Sequence, residues 1–532
     1  MSCYKALTGP ICIIHIMQSE DWRKIEQRLR VVVVGLCVLF VLLFLYTALR
    51  RLLYPFEVDR MESGMMTTVW RLRHGYPLYS APSLEWAPFL YAPLFFYVSA
   101  GVSKLVGVSY AALRLVSILA TIGSFGVIAT LVRLETRRWM TAIVAVGLFA
   151  SLYAVVLGWF DVGRVDSLSI FFFLLALLAT RRSHPLVAAV VWLLAFQTKQ
   201  TFFPLALAVY LVEWRRPSRM ATGMVAFAAM AVGSVMWFNH VTQHWYSYYV
   251  FGTAGALKWD PRVGAMFPFT DLLQPWPIVA TLLVVAFILV PFRWRDRDGT
   301  FFAVVTVVLT GSMWFVRAHA GSNMNSILPL LAWVAVLTGV AIGRLLDRDE
   351  ATGETAWPAR GMVASLLWIA VIVQLGAHLY RPGQILREDL AAREQFEAEL
   401  RATPGDVWLT DHSYDGILAG KPMHADMDAL DAVLGRHYEP AVKEFNDAIS
   451  GQRFTAIVLD RIPGGYKPDG LFTSAEFWHN YGAEALVPST AGGTTPDQPH
   501  FLFLPCGAVQ NAHSSGLQNT SSSFTDRSGC TQ

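Results

Sequence analysis

Charge is what this 532-residue chain has least of. Asp, Glu, Lys and Arg make up 15% of it, where an ordinary soluble domain carries about 25%. So few charges cannot hydrate the surface of a water-soluble fold of this length, which excludes that class. Cysteine is also scarce. The five, at positions 3, 12, 37, 506 and 530, include no Cys-x-x-Cys pair, so zinc-ribbon and thioredoxin-like chemistry are excluded. Cys506 and Cys530 would pair only if the C-terminal end lies outside the cytosol. The net charge of +3 is small and spread over many loops. With no basic domain, zinc-finger spacing or RNP-like strand, nucleic acid is not a partner. No repeat at solenoid periods appears, and no inverted halves of the transporter kind.

What is abundant is apolar sequence: 54% of residues are hydrophobic, 13% aromatic, and the mean hydropathy is +0.43. Apolar runs separated by short arginine-bearing loops predict an α-helical polytopic membrane protein. The run Val31 to Leu49 is long enough to span at about 1.5 Å per residue. Clusters at Arg133/Arg137/Arg138, Arg181/Arg182, Arg215/Arg216/Arg219, Arg293/Arg295/Arg297 and Arg344/Arg348 read as successive cytoplasmic loops. With the N-terminus inside, residues 89–107 must then lie in the interface rather than cross. Pro185 to Trp214 has cytoplasmic arginines at both ends, so it crosses an even number of times. It divides into short spans at 185–197 and 201–214, with Thr198-Lys-Gln200 at the outer turn. Such short spans need a turn sunk in a protein-lined or wet cavity. The other spans are 111–132, 139–160, 167–180, 220–238, 275–292, 301–316, 326–343 and 361–379, about 11 transmembrane helices in all.

The expected organisation is a cytosolic leader (1–30), a transmembrane domain (31–380) with its first outer loop at 50–110, a small extracytoplasmic α/β domain (381–505) and a disordered tail (506–532). Strands are predicted at 406–410 and 455–459, helices at 386–401 and 437–450. Asn519-Thr-Ser521 is a sequon in the tail, read as accidental. The aromatic stretch 245–251 between two spans reads as interfacial anchoring.

Charges at membrane depth cost at least about 2.5 kcal/mol each, so those present need a partner or a task. The outer ends of the spans gather an unusual set. Glu57, Asp59 and Glu62 follow the first span, with Asp59 and Glu62 on one face if helical. Arg114 opens one span; Asp161, Arg164 and Asp166 open another. Lys199 caps the short pair. Arg317 and His319 close a further span, followed by Gly321-Ser-Asn-Met-Asn325. Each has a bland alternative: Arg164 and Asp166 neutralising one another, Arg114 snorkelling, Asn323 and Asn325 capping the next helix. Together they suit a two-pole chemistry. A carboxylate takes a proton from an acceptor hydroxyl, and cations hold a phosphate that gains charge as its bond to a sugar carbon breaks.

These residues resemble the GT-C superfamily of polyprenyl-phosphate-sugar-dependent membrane glycosyltransferases. Within it the likeness is to the family 39 group: protein O-mannosyltransferases, the lipid A aminoarabinose transferase and RgtA/B/C/D-like enzymes. The resemblance rests on an ordered set over residues 31 to about 343: Glu57-Val-Asp59 with Glu62-Ser-Gly64, Gly75-Tyr-Pro-Leu-Tyr79, Tyr91-Ala-Pro-Leu-Phe-Phe-Tyr97, Arg114-Leu, Gly163-Arg-Val-Asp166, Thr198-Lys-Gln-Thr201 and Gly321-Ser-Asn-Met-Asn325. It implies an inverting transfer of a sugar from a polyprenyl-phosphate donor to a lipid, polysaccharide or protein acceptor at the outer face of the plasma (inner) membrane. Asp59, Glu62 or Glu57 would be the base, Asp59 first and Glu62 second. Lys199, with Arg164, Arg114 and Arg317, would hold the donor phosphate. Asp166, Tyr79, Tyr91, His319, Asn323 and Asn325 would line the substrate cavity. Where the family often has adjacent acids, this chain has Glu57-x-Asp59-x-x-Glu62. No cofactor is indicated, and a divalent metal is left open because metal dependence varies in the superfamily. The rival class is a transporter or flippase of lipid-linked saccharides, using the same cavity without chemistry.

Overall fold

The computed structural model describes residues 19–278, 297–319, 321–351, 359–384, 390–460, 475–485, 501–506 and 508. The predicted span 275–292 and the tail with its sequon lie mostly outside them, as do residues 1–18 of the leader. The first described helix, α1 (Ser19–Leu52), is continuous, so the charged segment expected to precede the first span is its first turns. Phe40, Phe44 and Ala48, four apart, are buried, while Val31, Leu42 and Leu49 are exposed. That is one apolar face toward protein and another toward lipid.

Next come α2 (Arg60–Arg73), α3 (Leu94–Val106), α4 (Tyr110–Thr136), α5 (Trp139–Ser151), α6 (Val165–Arg181), α7 (Pro185–Thr198), α8 (Phe202–Val209) and α9 (Pro217–Val241). The bundle continues with α10 (Arg297–Arg317), α11 (Leu328–Ala351) and α12 (Ala359–Ala377). Among the described residues, five helices are long and apolar enough to cross a bilayer, those beginning at Lys24, Tyr110, Pro217, Gly299 and Met324. The remaining apolar helices are shorter; α7 and α8 form the short pair, with Lys199 in the break between them. α1 packs on α5 and α12, and α6 on α4 and α7. Gly147 allows the α1–α5 contact: a Cβ there would meet the Cys37 Cβ at 2.3 Å.

Two expectations are corrected. The span predicted over 139–160 stops being helical at Ser151. Leu157 and Gly158 take left-handed backbone (φ 56° and 76°), and the Gly158 carbonyl accepts from Arg51 Nη1 at 2.8 Å. The helix gives way so that the chain can turn Asp161 inward, where Arg51 and Tyr153 bind it at 2.8 and 2.9 Å. The aromatic stretch 245–251 is not a lipid-facing belt either. Tyr246 and Tyr249 are fully buried, packed on Tyr79, with the Tyr249 hydroxyl donating to the Ser80 carbonyl at 3.0 Å.

After helix α13 (Leu390–Ala402) comes a small four-stranded mixed sheet. Strands β1 (Val407–Leu409) and β2 (Ala456–Leu459) run parallel; β4 (Phe501–Pro505) pairs antiparallel with β2 and with β3 (Tyr481–Ala485). β1 and β2 are buried at every position, as parallel strands covered on both faces must be. This module is not a bead on a string. Met65, Met66, Tyr110 and Leu113 of the bundle share one apolar cluster with Trp408, Tyr414, Leu430 and Phe445 of the module. The residues that follow β1, Asp411 to Tyr414, bond to α2 through Arg60, Ser63 and Thr67, so the module is seated on the first outer loop.

Candidate functional site

Asp59 ends the loop after α1 and caps α2, its carboxylate accepting from the Met61 amide at 3.2 Å. It also accepts from Arg164 Nη1 at 2.9 Å and Trp159 Nε1 at 2.9 Å. Its side chain keeps 14% of its exposure, whereas that of Asp166 keeps 1%. Arg164 stands in extended backbone just before α6, and Asp166 lies in that helix's first turn, where the macrodipole favours a carboxylate. Asp166 is the hub: Lys199 Nζ reaches it at 2.8 Å, Asn325 Nδ2 at 3.2 Å, and Arg164 Nε at 3.4 Å. Lys199 is placed by the break after α7, where its own backbone turns extended. The Tyr91 phenol lies near the Arg164 guanidinium. Three segments distant in sequence thus meet in one chain of charges, Asp59–Arg164–Asp166–Lys199, with Asn325 and Tyr91 from two further segments beside it. Two carboxylates and two cations balance, which is how such groups are tolerated at this depth.

Glu62 and Arg114 belong to a different structure. Glu62 is fully buried and accepts four hydrogen bonds: from Arg114 Nε (2.9 Å) and Nη2 (2.6 Å), and from the amides of Val58 (2.9 Å) and Gly163 (2.7 Å). Arg114 spends its remaining donors on the carbonyls of Arg51 and Tyr54, both at 2.6 Å, and of Phe56. Neither has a lone pair or proton to offer a substrate. They fix the loop 51–62, so the expected base role for Glu62 and phosphate role for Arg114 are not supported by this geometry. Gly163 is required for the same reason: a Cβ there would lie 2.6 Å from the Leu113 Cβ and 3.0 Å from Glu62 Oε1.

Glu57 points to the C-terminal module. Its carboxylate takes Arg393, His412 Nδ1 (2.8 Å) and the Tyr110 hydroxyl (2.9 Å). His412 Nε2 meets Asp460 at 2.7 Å, and Arg393 also bridges to Asp415. Burial alone would raise Glu57, but Arg393 and His412 outweigh it and hold the carboxyl well below its usual range. Burial opposes the charged imidazole of His412, yet Asp460 and Glu57 on either side push its pKa well above the usual value. Asp415 is pushed up to about 7 by burial and the Glu57 charge, against Arg393. Glu57, His412 and Asp415 are metal-ligating types close enough to share an ion. The Arg393 guanidinium already bridges both carboxylates, however, and both imidazole nitrogens are engaged, so this cluster fits an ion-paired latch better than a metal centre. On the other side of Asp59, Arg60 bonds Asp411 at 2.5 Å and Asp428 at 2.6 Å. The module therefore grips the two neighbours of Asp59, a contact no local sequence pattern announces. Glu57 is accordingly engaged by the module, and this geometry does not support the expected base role.

The other expected residues scatter. Arg317 pairs with buried Asp271 at 3.0 Å and donates to the Ser322 carbonyl at 3.0 Å, keeping 18% of its exposure beside the segment that carries Asn325. His319 meets the Phe315 carbonyl (2.8 Å) and ring, and touches no group of the charge chain. Asn323 caps its own short turn, accepting from the Met324 amide at 2.8 Å. Tyr79 is buried and donates to the Tyr91 carbonyl at 2.7 Å, positioning that loop. Gln200, beside Lys199, ties the same loop from the other side by donating to the Leu90 carbonyl at 2.6 Å. Trp159, unassigned from the sequence, directly contacts Asp59; its place in Trp159-Phe-Asp161, just ahead of Gly163-Arg-Val-Asp166, was the available signal.

This arrangement offers a partly exposed carboxylate three links away from an ammonium, with a guanidinium and a second carboxylate between them. Comparison with known proteins adds the following. The family model of glycosyltransferase family 87 matches residues 89–318, a segment that contains Arg164, Asp166 and Lys199 but not the loop bearing Asp59. That is a different family from the group 39 resemblance of the sequence. No curated protein matches the chain by sequence. Among solved structures, ArnT from Cupriavidus metallidurans bound to undecaprenyl phosphate superposes with a TM-score of 0.55 at 14% identity, covering 88% of this chain and 98% of that one. Apo ArnT from the same organism gives a TM-score of 0.52 at 15% identity, covering 80% and 92%. The chain therefore has an ArnT-like, mostly helical polytopic membrane fold.

Proposed function

We propose that this chain is an inverting glycosyltransferase of the GT-C kind, moving a sugar from a polyprenyl-phosphate donor to a hydroxyl of an extracytoplasmic acceptor. The observation that carries this reading is the single ion-paired chain from Asp59 to Lys199. Asp59 is the base. Of the three acids after the first span it alone retains exposure without being saturated by buried donors. Lys199, Arg164 and Asn325 receive the donor phosphate, and Tyr91 lies beside Arg164 at the same wall.

The acceptor hydroxyl oxygen attacks the anomeric carbon from the face opposite the phosphate, the carbon–oxygen bond to the phosphate breaks, and the hydroxyl proton passes to Asp59. The electron pair leaves on the polyprenyl phosphate. Arg164 couples the two events. As Asp59 is protonated, the guanidinium loses a counter-charge on one side while the leaving phosphate gains one on the other. Preorganised cations of this kind supply stabilisation as charge develops. The family 87 match and the ArnT fold, one example of which holds undecaprenyl phosphate, support the donor class. Cys506 at the end of β4 is disulfide-bonded, in keeping with a module on the oxidising side of the membrane. The outer face of the plasma membrane is the location this implies.

The test is transfer from a labelled polyprenyl-phosphate sugar by the purified chain. Asp59→Asn should abolish turnover while leaving donor binding intact. Full activity in that variant removes the base assignment. Lipid-linked saccharide movement across vesicles, with no transfer from any donor, would return the reading to a transporter.

A further inference from the structure

Arg71, near the end of α2, is 7% exposed, yet among the described residues its guanidinium has no carboxylate partner. Its Nε is buried without any hydrogen-bond partner, and its one polar side-chain contact is the Met423 Sδ at 3.9 Å. Two aromatic rings hold it instead, Trp86 at 4.1 Å and Tyr76 at 5.0 Å from their centroids. Burial pushes its pKa down to about 10, against small raising effects from Tyr76 and Tyr249. The buried arginines described above, Arg51, Arg114, Arg164 and Arg393, are each ion-paired. The segments around Arg71 come from the first loop (Tyr76, Trp86), the aromatic stretch (Tyr249) and the module (Met423). Arg71 also lies on the α2 face that meets the module, in line with Arg60, Ser63 and Thr67. Tyr76 remains 50% exposed, leaving a ring available beside the cation. A guanidinium clamped between rings, short of an anion and near solvent, is a receptor for a planar or tetrahedral oxyanion.

We infer that Arg71 is the anion-recognition residue of an acceptor subsite, taking an oxyanion borne on a sugar ring, either a uronate carboxylate or a sugar phosphate monoester. This rests on the glycosyltransferase reading. Twelve residues of helix separate Arg71 from Asp59, about 18 Å at helical rise. The recognised group therefore belongs to a part of the acceptor several sugar units from the reacting hydroxyl. Acceptors of a single sugar would not reach both points.

The experiment measures binding by the full-length chain in detergent, read by tryptophan fluorescence, at matched ionic strength. The probes are methyl glucuronide, glucose 6-phosphate and neutral methyl glucoside. The inference predicts saturable binding of at least one anionic probe and none of the neutral one; which anion binds identifies the source of the oxyanion. Arg71→Gln should weaken that binding about 10- to 100-fold, the worth of one hydrogen bond to a charged group, and Arg71→Lys should recover part of it. Anionic probes binding no better than the neutral one would overturn the inference, and this wild-type comparison decides even if Arg71→Gln fails to fold. Unaltered binding in a folded Arg71→Gln would overturn it too. Asp59→Asn should still bind the anionic probe. A wild-type chain that binds the anionic probe but transfers no sugar from any donor counts against the glycosyltransferase reading, while absent probe binding with transfer intact counts against the subsite alone.

Discussion

Glu62→Gln separates structure from chemistry most cleanly at this site. The carboxylate receives four donors, two on each oxygen: Arg114 Nε and the Gly163 amide on Oε1, Arg114 Nη2 and the Val58 amide on Oε2. A glutamine can keep one acceptor oxygen, but its NH2 then faces two donors. Two charge-assisted bonds are lost, at about 1.5–3 kcal/mol each, and Arg114 is left buried without its counter-charge. The combined cost is about 3–6 kcal/mol, which overlaps the range for breaking a buried pair. That is a large share of the roughly 5–15 kcal/mol that stabilises a typical fold. Asp59→Asn, by contrast, keeps an equally good N-cap and leaves Arg164 its second carboxylate, Asp166, so its stability cost should be smaller, about 1–3 kcal/mol. Thermal unfolding of the two variants in the same detergent should give a large drop in Tm for Glu62→Gln and a small one for Asp59→Asn. Transfer should behave in the opposite sense for the folded fractions: an almost complete loss, about 10²- to 10⁴-fold, for Asp59→Asn, and partial activity for Glu62→Gln. Equal drops in Tm, or a Glu62→Gln protein as stable as wild type, would refute the division of roles.

Lys199→Met should raise the KM for donor more than it lowers kcat, because the ammonium binds the phosphate before and after transfer; an unchanged donor KM contradicts its placement there. Gly163→Ala should cost about 1–3 kcal/mol through overpacking, since its Cβ has no room beside Leu113 and Glu62, and the expressed protein should melt lower. The latch makes docking pH-dependent. The folded pKa of His412 is raised, so its stabilising contribution is full below about pH 6.5 and is lost as pH rises through the folded value. Asp415, pushed up to about 7, acts in the same sense between about pH 4 and 7. The depressed Glu57 contributes above its ordinary range and is lost only in acid. Melting curves of wild type from pH 6 to 9 should therefore fall more steeply than those of His412→Gln; parallel curves would show that the imidazolium does not hold the module.

Much of this was legible in the chain, and the limits have physical causes. Lys199 could be placed because two short apolar runs between cytoplasmic arginines force a sunken turn. Gly163-Arg-Val-Asp166 opens a span, and its charges can only be carried in partnership, as Arg164 and Asp166 are. The three acids at 57, 59 and 62 could not be ranked from spacing alone. Their partners lie far away: Glu62 is saturated by a residue 52 positions on, and Glu57 by one 336 positions on. Asp59 is proposed as the base because it keeps exposure while the other two are bonded within the protein. The aromatic stretch misled for a similar reason, since Trp245 and Tyr248 pack on Tyr438, a module residue whose approach no hydropathy pattern reveals. The early end of α5 depends on Arg51 capturing the Gly158 carbonyl, again a long-range event.

The most direct measurement is an experimental structure of the Asp59→Asn chain with a polyprenyl-phosphate sugar bound. The account predicts phosphate oxygens within about 3 Å of Lys199 Nζ and of the Arg164 guanidinium, with the anomeric carbon turned toward residue 59. A phosphate seated elsewhere, with Lys199 still bound to Asp166 and residue 59 facing only protein, would contradict it.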